Sequence, residues 1–512
     1  MGVTSLKKGS ILFIGGIDVS TPAEYIEDNS IVNSINFDLN RKIMVKRRGE
    51  TAQGSAFGGA STEIMAGRLF NREGTKYNVR IGRDNFEYLN DDTWTDVTGT
   101  VAFTGTTTDL IDTAIPLLSG KRILVVANGV DAPNKWTGSG NFAALGGSPP
   151  TPKFIQEYKT YLVCANIAGG TDITQRIQWS DTADPETWDS GNAGAVDLVE
   201  DAFDITGLSV YGNYLTVHKE SCIYLGYLIS TTDIFKFERK NTGVGTIANN
   251  SIVNIPTGEQ LFLAKDGLRV FNGISAPLIE SPINDEIRDS LNSQYMSKAW
   301  GLLVKDKDEA WIGIPMGTSQ STGETIFKYN YKNKTILKDI RANACAAWTA
   351  EITSNTSWDD YAGTWDDSTD RWNGKGLNQG DDLINIGKTD GTTPYVDTTA
   401  LNDSGVTIVS EFETKDFSSS TTGTARWTEL EVWAKGGTVR IQYSIDKGLT
   451  WNEPAQSPLT LDDDYPSFND PDIIYFDIVS TYIRFKFTNS ESDETLSVKQ
   501  CIVKYKNREE RQ

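Results

Sequence analysis

Histidine is nearly missing from this chain: His218 stands alone among 512 residues. Metal sites built from several imidazoles of one chain are thereby excluded. A Ser-His-Asp arrangement would have to rest on a residue set in an apolar stretch, YLTVHKESC, where a half-exposed or internally bonded strand histidine is the expectation. Cysteine is scarce as well. Cys164, Cys222, Cys345 and Cys501 lie far apart, each inside a strand-like apolar run, and no CxxC spacing occurs. That pattern speaks against zinc and for buried free thiols in a protein made under reducing conditions. No run of about 18 apolar residues exists, so no membrane-spanning helix is expected. The opening MGVTSLKKGSILFIGGIDVS holds an apolar patch shorter than a secretion signal needs. Basic residues are in deficit, 48 against 69 acidic, for a net charge of −21. A protein that grips nucleic acid through its phosphates needs a basic face. The balance here lets a polyanion pass without adhering.

What is present is a succession of short strands and turns. Hydrophobic residues make up only 38% of the chain, yet 10% of it is aromatic, which suits many short strands with one buried face each. In FLAKDGLRVFNG (262–273) two strand-like runs flank a Lys-Asp-Gly turn and close on Asn272-Gly273. Such a turn needs positive φ, which glycine adopts without steric cost. The same plan returns in VRIGRDNFEYLNDDTW (79–94), LVVANGVDAPNKWTG (124–138), YGNYLTVHKESCIYLG (211–226) and LINIGKTDGTTPYV (383–396). Recurrence every roughly 40–50 residues signals an array of small sheets, and a β-propeller is the usual closed solution.

The fold expected is therefore all-β: a β-propeller of six to eight blades over 61–404, an extended N-terminal arm over 1–60, and a C-terminal β-sandwich over 405–512. The arm carries Lys46, Arg47 and Arg48, which could meet DNA, an adaptor or a neighbouring subunit. Within the propeller, INDEIRDSLNSQYMSK (283–298) is the best helix candidate, with Ile283, Ile287 and Leu291 four residues apart and acids early. Beyond 405, six alternating segments suit a two-sheet sandwich; Val439, Ile441 and Tyr443 should face one way, Arg440, Gln442 and Ser444 the other.

Few motifs point to chemistry. SIDKGLTW (444–451) fits the Asp-box pattern of sialidases and other β-proteins, but a single box reads as a hairpin turn held by Asp446, Gly448 and Trp451. SWDDYAGTWDDSTDRW (357–372) spaces Trp358, Trp365 and Trp372 seven apart, and blade or intersubunit packing is expected of them. The acids at 462–464 and the Asp306–Glu309 turn lack the spaced ligands of a calcium loop. Gly243-Val244-Gly245 and Gly374-Lys375-Gly376 lack the βαβ setting of a nucleotide site.

One longer passage is more specific. RIQWSDTADPETWDS (176–190) runs through Ile205-Thr206-Gly207-Leu208, Ser251-Ile252-Val253 and the Asp266-Gly267 hairpin to Phe271-Asn272-Gly273. This stretch resembles the middle of short-tailed bacteriophage tail nozzle proteins, also called tail hub or DNA stabilisation proteins. Gly15-Gly16, Pro22, Asn33, Asn36-Phe37 and Arg47-Arg48-Gly49 follow the same order as in those proteins. The resemblance implies a structural virion protein, not an enzyme, with no cofactor, metal or catalytic residue. It implies a homohexameric ring below the head-to-tail adaptor, enclosing double-stranded DNA without specific binding and carrying tail fibres, spikes or a needle. The place expected is the virion tail, after assembly in the host bacterial cytoplasm. The alternative is a glycan-binding or sialidase-like receptor-recognition propeller, using the Asp-box sandwich and the tryptophan loop.

Overall fold

Strands of four to eight residues divided by left-handed turns can only build small antiparallel meanders, and the chain builds a succession of them. The computed structural model describes residues 7–12, 15–18, 21–90, 92–168, 173–230, 234–281, 283–351, 382–418, 423–461, 468 and 470–507. In the hairpin Glu259–Ala264 to Gly267–Phe271, Gly267 takes φ +132°. A Cβ there would lie 2.4 Å from the Asn284 Oδ1 atom, which accepts the Leu268 N–H at 2.8 Å. The turn glycine thus also lets a helix close over its hairpin.

Seven such meanders form blades among the described residues, their innermost strands opening at Ala66, Asp112, Thr151, Ile205, Val253, Trp300 and Ala344. Blades 1 to 4 and 6 have four strands each, blade 2 with the small hairpin Leu117–Leu118 to Lys121–Arg122 inserted after its first strand, while blade 5 has three. Blade 7 is composite: Ala344–Glu351, Asp382–Lys388 and Pro394–Val396 are completed by Glu50–Ala52 from near the N-terminus. The innermost strands meet neighbour to neighbour around a ring, blade 4 meeting blade 5 through the Asn249–Ser251 turn that leads into it, and the seventh packing against the first. At that joint the Trp348 ring occupies the space a Cβ of Gly67 would fill, 2.0 Å away, and its Nε1 donates to Asn78 Oδ1 at 2.7 Å. Six to eight blades were expected, and seven are present.

The one α-helix among the described residues, Ile283–Ser290, is half the length the pattern suggests. Ile283 and Ile287 are fully buried, as their spacing requires. Asn292 ends the helix: its N–H donates to Pro315 O at 3.0 Å and its side chain to Gln320 O at 2.7 Å, diverting the backbone.

Residues expected as an extended arm are instead structural strands of the sandwich. One sheet runs Phe37–Asn40, Ile43–Lys46, Leu496–Asn507, Ala425–Gly436, Asp472–Ser480, with Lys7–Leu12 also on Leu496–Asn507. The other runs Gly16–Ile17, Ser30–Ile35, Ser410–Thr414, Tyr482–Asn489, Thr438–Ser444, Leu459–Thr460. Val439 and Ile441 point inward as expected, whereas Ser444, assigned outward, is buried. The reason for the N-terminal insertion is an edge: Thr335–Ile340, the outer strand of blade 6, would otherwise lie bare. Asn36 covers it, its N–H donating to Lys338 O and its Oδ1 accepting from Ile340 N, both at 2.9 Å. One apolar core then runs from Leu261 and Phe327 in the blades to Phe37, Phe412 and Trp427 in the sandwich.

A buried chain of charges crosses the same junction. Glu50 accepts from Arg341 at 2.6 Å and pairs with Lys388 at 2.8 Å. Asp339 lies 3.9 Å from Arg341, 2.7 Å from Lys328 and 4.0 Å from Arg47; Lys328 also pairs with Asp38, and Arg47 holds Asp403 with both arms of its fork. Burial alone would raise the Glu50 carboxyl, but Arg341 and Lys388 hold it down at about 2. Its contribution to stability is therefore complete above the ordinary carboxylate pKa and is lost as pH falls toward 2. Glu50→Gln strands two buried cations and should cost about 3–5 kcal/mol in urea unfolding at neutral pH. A loss below about 1 kcal/mol would show that the chain of charges is not what holds the junction.

Candidate functional site

Two of the three cations singled out in the N-terminal segment, Lys46 and Arg47, are spent inside the molecule, which corrects for them the expectation that they meet DNA, an adaptor or a neighbour. Lys46 is 4% exposed; its ammonium donates to Asn489 Oδ1 at 2.6 Å and Glu491 O at 3.3 Å. Arg47 is 3% exposed and adds a bond to Asn36 Oδ1 at 2.9 Å to its fork on Asp403. Only Arg48 of the three is exposed. Trp358, Trp365 and Trp372, with the acids at 462–464, lie outside the described residues.

The Asp box is a turn that consumes its own polar groups. Asp446 Oδ1 accepts from Ser444 Oγ at 2.7 Å and Thr450 N at 2.9 Å, and Gly448 takes φ +88°. The hydroxyl and N–H of Thr450 hold the Asp446 carboxyl down at about 2. Gly245 of the Gly-x-Gly turn is equally structural, since a Cβ there would strike Lys219 O at 1.8 Å. All four cysteines are buried and free, and burial pushes the Cys501 thiol up to about 12.

A different set of residues shares the axis of the ring. Every innermost strand, or the residues leading into it, contributes to a lumen of about 410 Å³. Asp112 sits at the start of the blade 2 inner strand. One oxygen accepts the Thr113 N–H at 2.8 Å; the other accepts Ile155 N of blade 3 at 2.9 Å and Asn249 Nδ2 at 3.2 Å. Asn249 leads into blade 5 and its own Oδ1 accepts Leu208 N of blade 4 at 2.9 Å. A polar bridge therefore ties blades 2, 3, 4 and 5 across the lumen. Lys298 and Glu63, ahead of blades 6 and 1, pair at 2.8 Å past the start of blade 7. Arg68 is open to the water of the lumen, although protein encloses it closely. Burial pushes the Asp112 carboxyl up to about 6 against the pull of its N–H donors and of Arg68. Neither Arg68, Asp112 nor Asn249 belongs to a sequence motif. Their only signal is polarity at the edge of an apolar inner strand, as in LIDTAIPLL.

A second concavity, about 530 Å³, opens between blades 4 and 5 and is lined by Tyr211, Tyr214, Tyr227 and Ile274 beside Glu238 and Lys240. The Tyr211 hydroxyl donates to Gly258 O at 2.8 Å and that of Tyr227 to Glu238 Oε1 at 2.6 Å.

His218 is fully buried, as a core residue rather than a catalytic one. Its Nε2 faces Gln260 Oε1 at 3.0 Å, and the Phe262 ring stands edge-on at 5.0 Å. Since Gln260 Nε2 donates to Asn254 Oδ1, its oxygen must accept, which places the imidazole proton on Nε2. Burial lowers the imidazole pKa to about 4. The stability this group supplies is present above its unfolded pKa and is lost as pH falls from about 6.5 toward 4. With one histidine in the chain, its Cε1 should give a single resonance, titrating near 4 in selectively labelled protein. A midpoint above 6 would contradict the buried neutral assignment.

No protein-family description and no curated protein matches this chain. Among solved structures, BamB from Moraxella catarrhalis is 11% identical, with a TM-score of 0.37 over 71% of this chain and 96% of that one. BBS1N, solved in complex with ARL6DN, is 11% identical, with a TM-score of 0.38 over 69% of this chain and 99% of that one. PorZ, a surface component of the type-IX secretion system of Porphyromonas gingivalis, is 8% identical, with a TM-score of 0.32 over 67% of this chain and 37% of that one. Likenesses this distant carry no statement about function, and the propeller rests on the strand pairing described above.

Proposed function

We propose that this chain is a ring-forming structural protein of a short-tailed phage virion, a tail nozzle. Six copies, the number the family resemblance implies, extend the channel of the head-to-tail adaptor, retain packaged DNA until ejection, and anchor fibres, spikes or a needle. The observation that carries this reading is where the nozzle-like segment falls. Residues 176–285 supply the outer half of blade 3, all of blades 4 and 5 and the start of the helix. The motif residues set turns and joints there: Asp181 Oδ1 accepts Asn192 N at 2.9 Å, Asp184 accepts from Thr187 Oγ1 at 2.9 Å, and Trp188 is buried. They are determinants of shape, as a conduit requires.

The lumen of one propeller is not the passage. It encloses about 410 Å³ and is crossed by the Asn249–Asp112 bond, whereas the major groove of a duplex is by itself about 12 Å wide. DNA would pass between copies, beside surfaces whose net acidity keeps it from adhering. The junction of propeller and sandwich, cemented by apolar core and ion pairs, suits a part that must withstand the pressure of a packaged genome.

A receptor-recognising propeller is the second reading, favoured by the tyrosine-lined cleft between blades 4 and 5. Native mass spectrometry and electron microscopy of the purified chain separate the two. The nozzle reading expects rings of six with an axial opening wider than a duplex. A stable monomer with no affinity for an adaptor, together with saturable glycan binding lost on Tyr214→Ala, would replace it with the second.

A further inference from the structure

We propose that the axial lumen of the propeller is a binding site for a small oxyanion, a carboxylate or a tetrahedral oxoanion, held by the Arg68 guanidinium. The lumen's two carboxylates are already engaged. Both oxygens of Asp112 receive N–H donors from Thr113, Ile155 and Asn249, and Glu63 is paired with Lys298 at 2.8 Å. Its donors are not. Among the described residues the Arg68 guanidinium has no ion pair or hydrogen bond, and Asp112, the opposite charge that acts on it, lies beyond salt-bridge distance. Asn250 lines the same lumen; its Oδ1 accepts from Asn249 at 3.3 Å while its Nδ2 donates to no described group. The hydroxyls of Ser209 and Thr113 also line the lumen, and neither donates to a described group.

A guanidinium offers five N–H donors in a planar fork that matches two oxygens of one anion. Enclosing that fork in protein strengthens its attraction for an anion over what water would allow. The size fits a small ligand and no polymer: the lumen of about 410 Å³ is crossed by the Asn249–Asp112 bond. The other charges facing Asp112 and Arg68 set the direction of pH dependence. Glu63 and Lys298 cancel, the Cys164 thiol behind Asp112 is pushed well above its ordinary value by burial, and Asp112 itself gains a proton as pH falls through about 6. Its negative charge then leaves the lumen to Arg68. The site is independent of whether copies of the chain enclose a genome.

Calorimetric titration of the full chain with sulfate and, separately, with succinate tests this, sulfate keeping its charge across the pH range used. The expected result is saturable one-to-one binding of at least one of the two, at least threefold tighter at pH 5.5 than at pH 7.5 for sulfate, with an anion-dependent rise in Tm. Which anion binds more tightly identifies the carboxylate or the tetrahedral class. Arg68→Gln should lose at least tenfold in affinity and should fold normally, because the Arg68 side chain bonds to no described group and the backbone pairing with Val79 is kept. Asn250→Asp, which adds a carboxylate to the lumen, should lose as much. Arg288→Gln, on the exposed face of the helix and paired with Asp285 at 2.9 Å, should bind like the native chain. The proposal is overturned by an absence of saturable binding of either anion, or by Arg68→Gln and Asn250→Asp variants that bind within twofold of the native chain.

Discussion

The structure depends on one buried set of opposite charges placed where three pieces of chain converge. Glu50 belongs to blade 7, Arg341 and Asp339 to the end of blade 6, and Arg47 and Asp38 to the segment that joins the sandwich. Each of these ions would be costly alone in a low-dielectric interior, and each has a partner within bonding or near-bonding distance. The arrangement acts as a test of assembly. Only when N-terminal segment, propeller and sandwich are all in place does every charge find its counterion, so the native arrangement is separated from partial ones by several desolvation penalties.

The ring has a second, quieter constraint on its axis. A propeller of seven blades leaves space between its innermost strands, and here that space is polar rather than filled by apolar side chains. Asn249 reaches from the lead of blade 5 to Asp112 of blade 2, so modules far apart in the ring are held by one amide. At the joint of blades 7 and 1 the opposite solution is used, with Trp348 lying on the bare backbone of Gly67. Polar bridging inside and aromatic wedging between blades together fix the ring where backbone pairing does not reach.

Much of this was legible in the sequence because turn chemistry is local. The run 262–273 is the hairpin its Asp266-Gly267 and Asn272-Gly273 pairs announce, and 124–138 and 383–396 each hold two paired strands. The strand alternation of 438–444 likewise reports its buried face at Val439 and Ile441. What stayed hidden is non-local. Nothing in KRRGE says that Lys46 will meet Asn489 or that Glu50 will meet Arg341, since partners so far along the chain leave no periodic trace. The lumen was illegible for the same cause: Arg68, Asp112 and Asn249 each come from a different blade, and only ring closure makes them neighbours. The helix was overestimated because Asn292 interrupts an otherwise continuous amphipathic pattern with bonds to residues beyond it.

The return of residues 50–52 to blade 7 has a consequence for biosynthesis. Six blades can close as they leave the ribosome, each from contiguous chain, but Glu50 must wait for Arg341, 291 positions downstream, and the strands ahead of it must wait for Ser410–Thr414 and Leu496–Asn507. Until Arg341 and Lys388 have emerged, the acid at position 50 stands without its partners, a nascent state open to premature pairing. Emergence of Leu496–Asn507, on which both Lys7–Leu12 and Ile43–Lys46 pair, rather than formation of any single blade, is the event that commits this molecule to its final form.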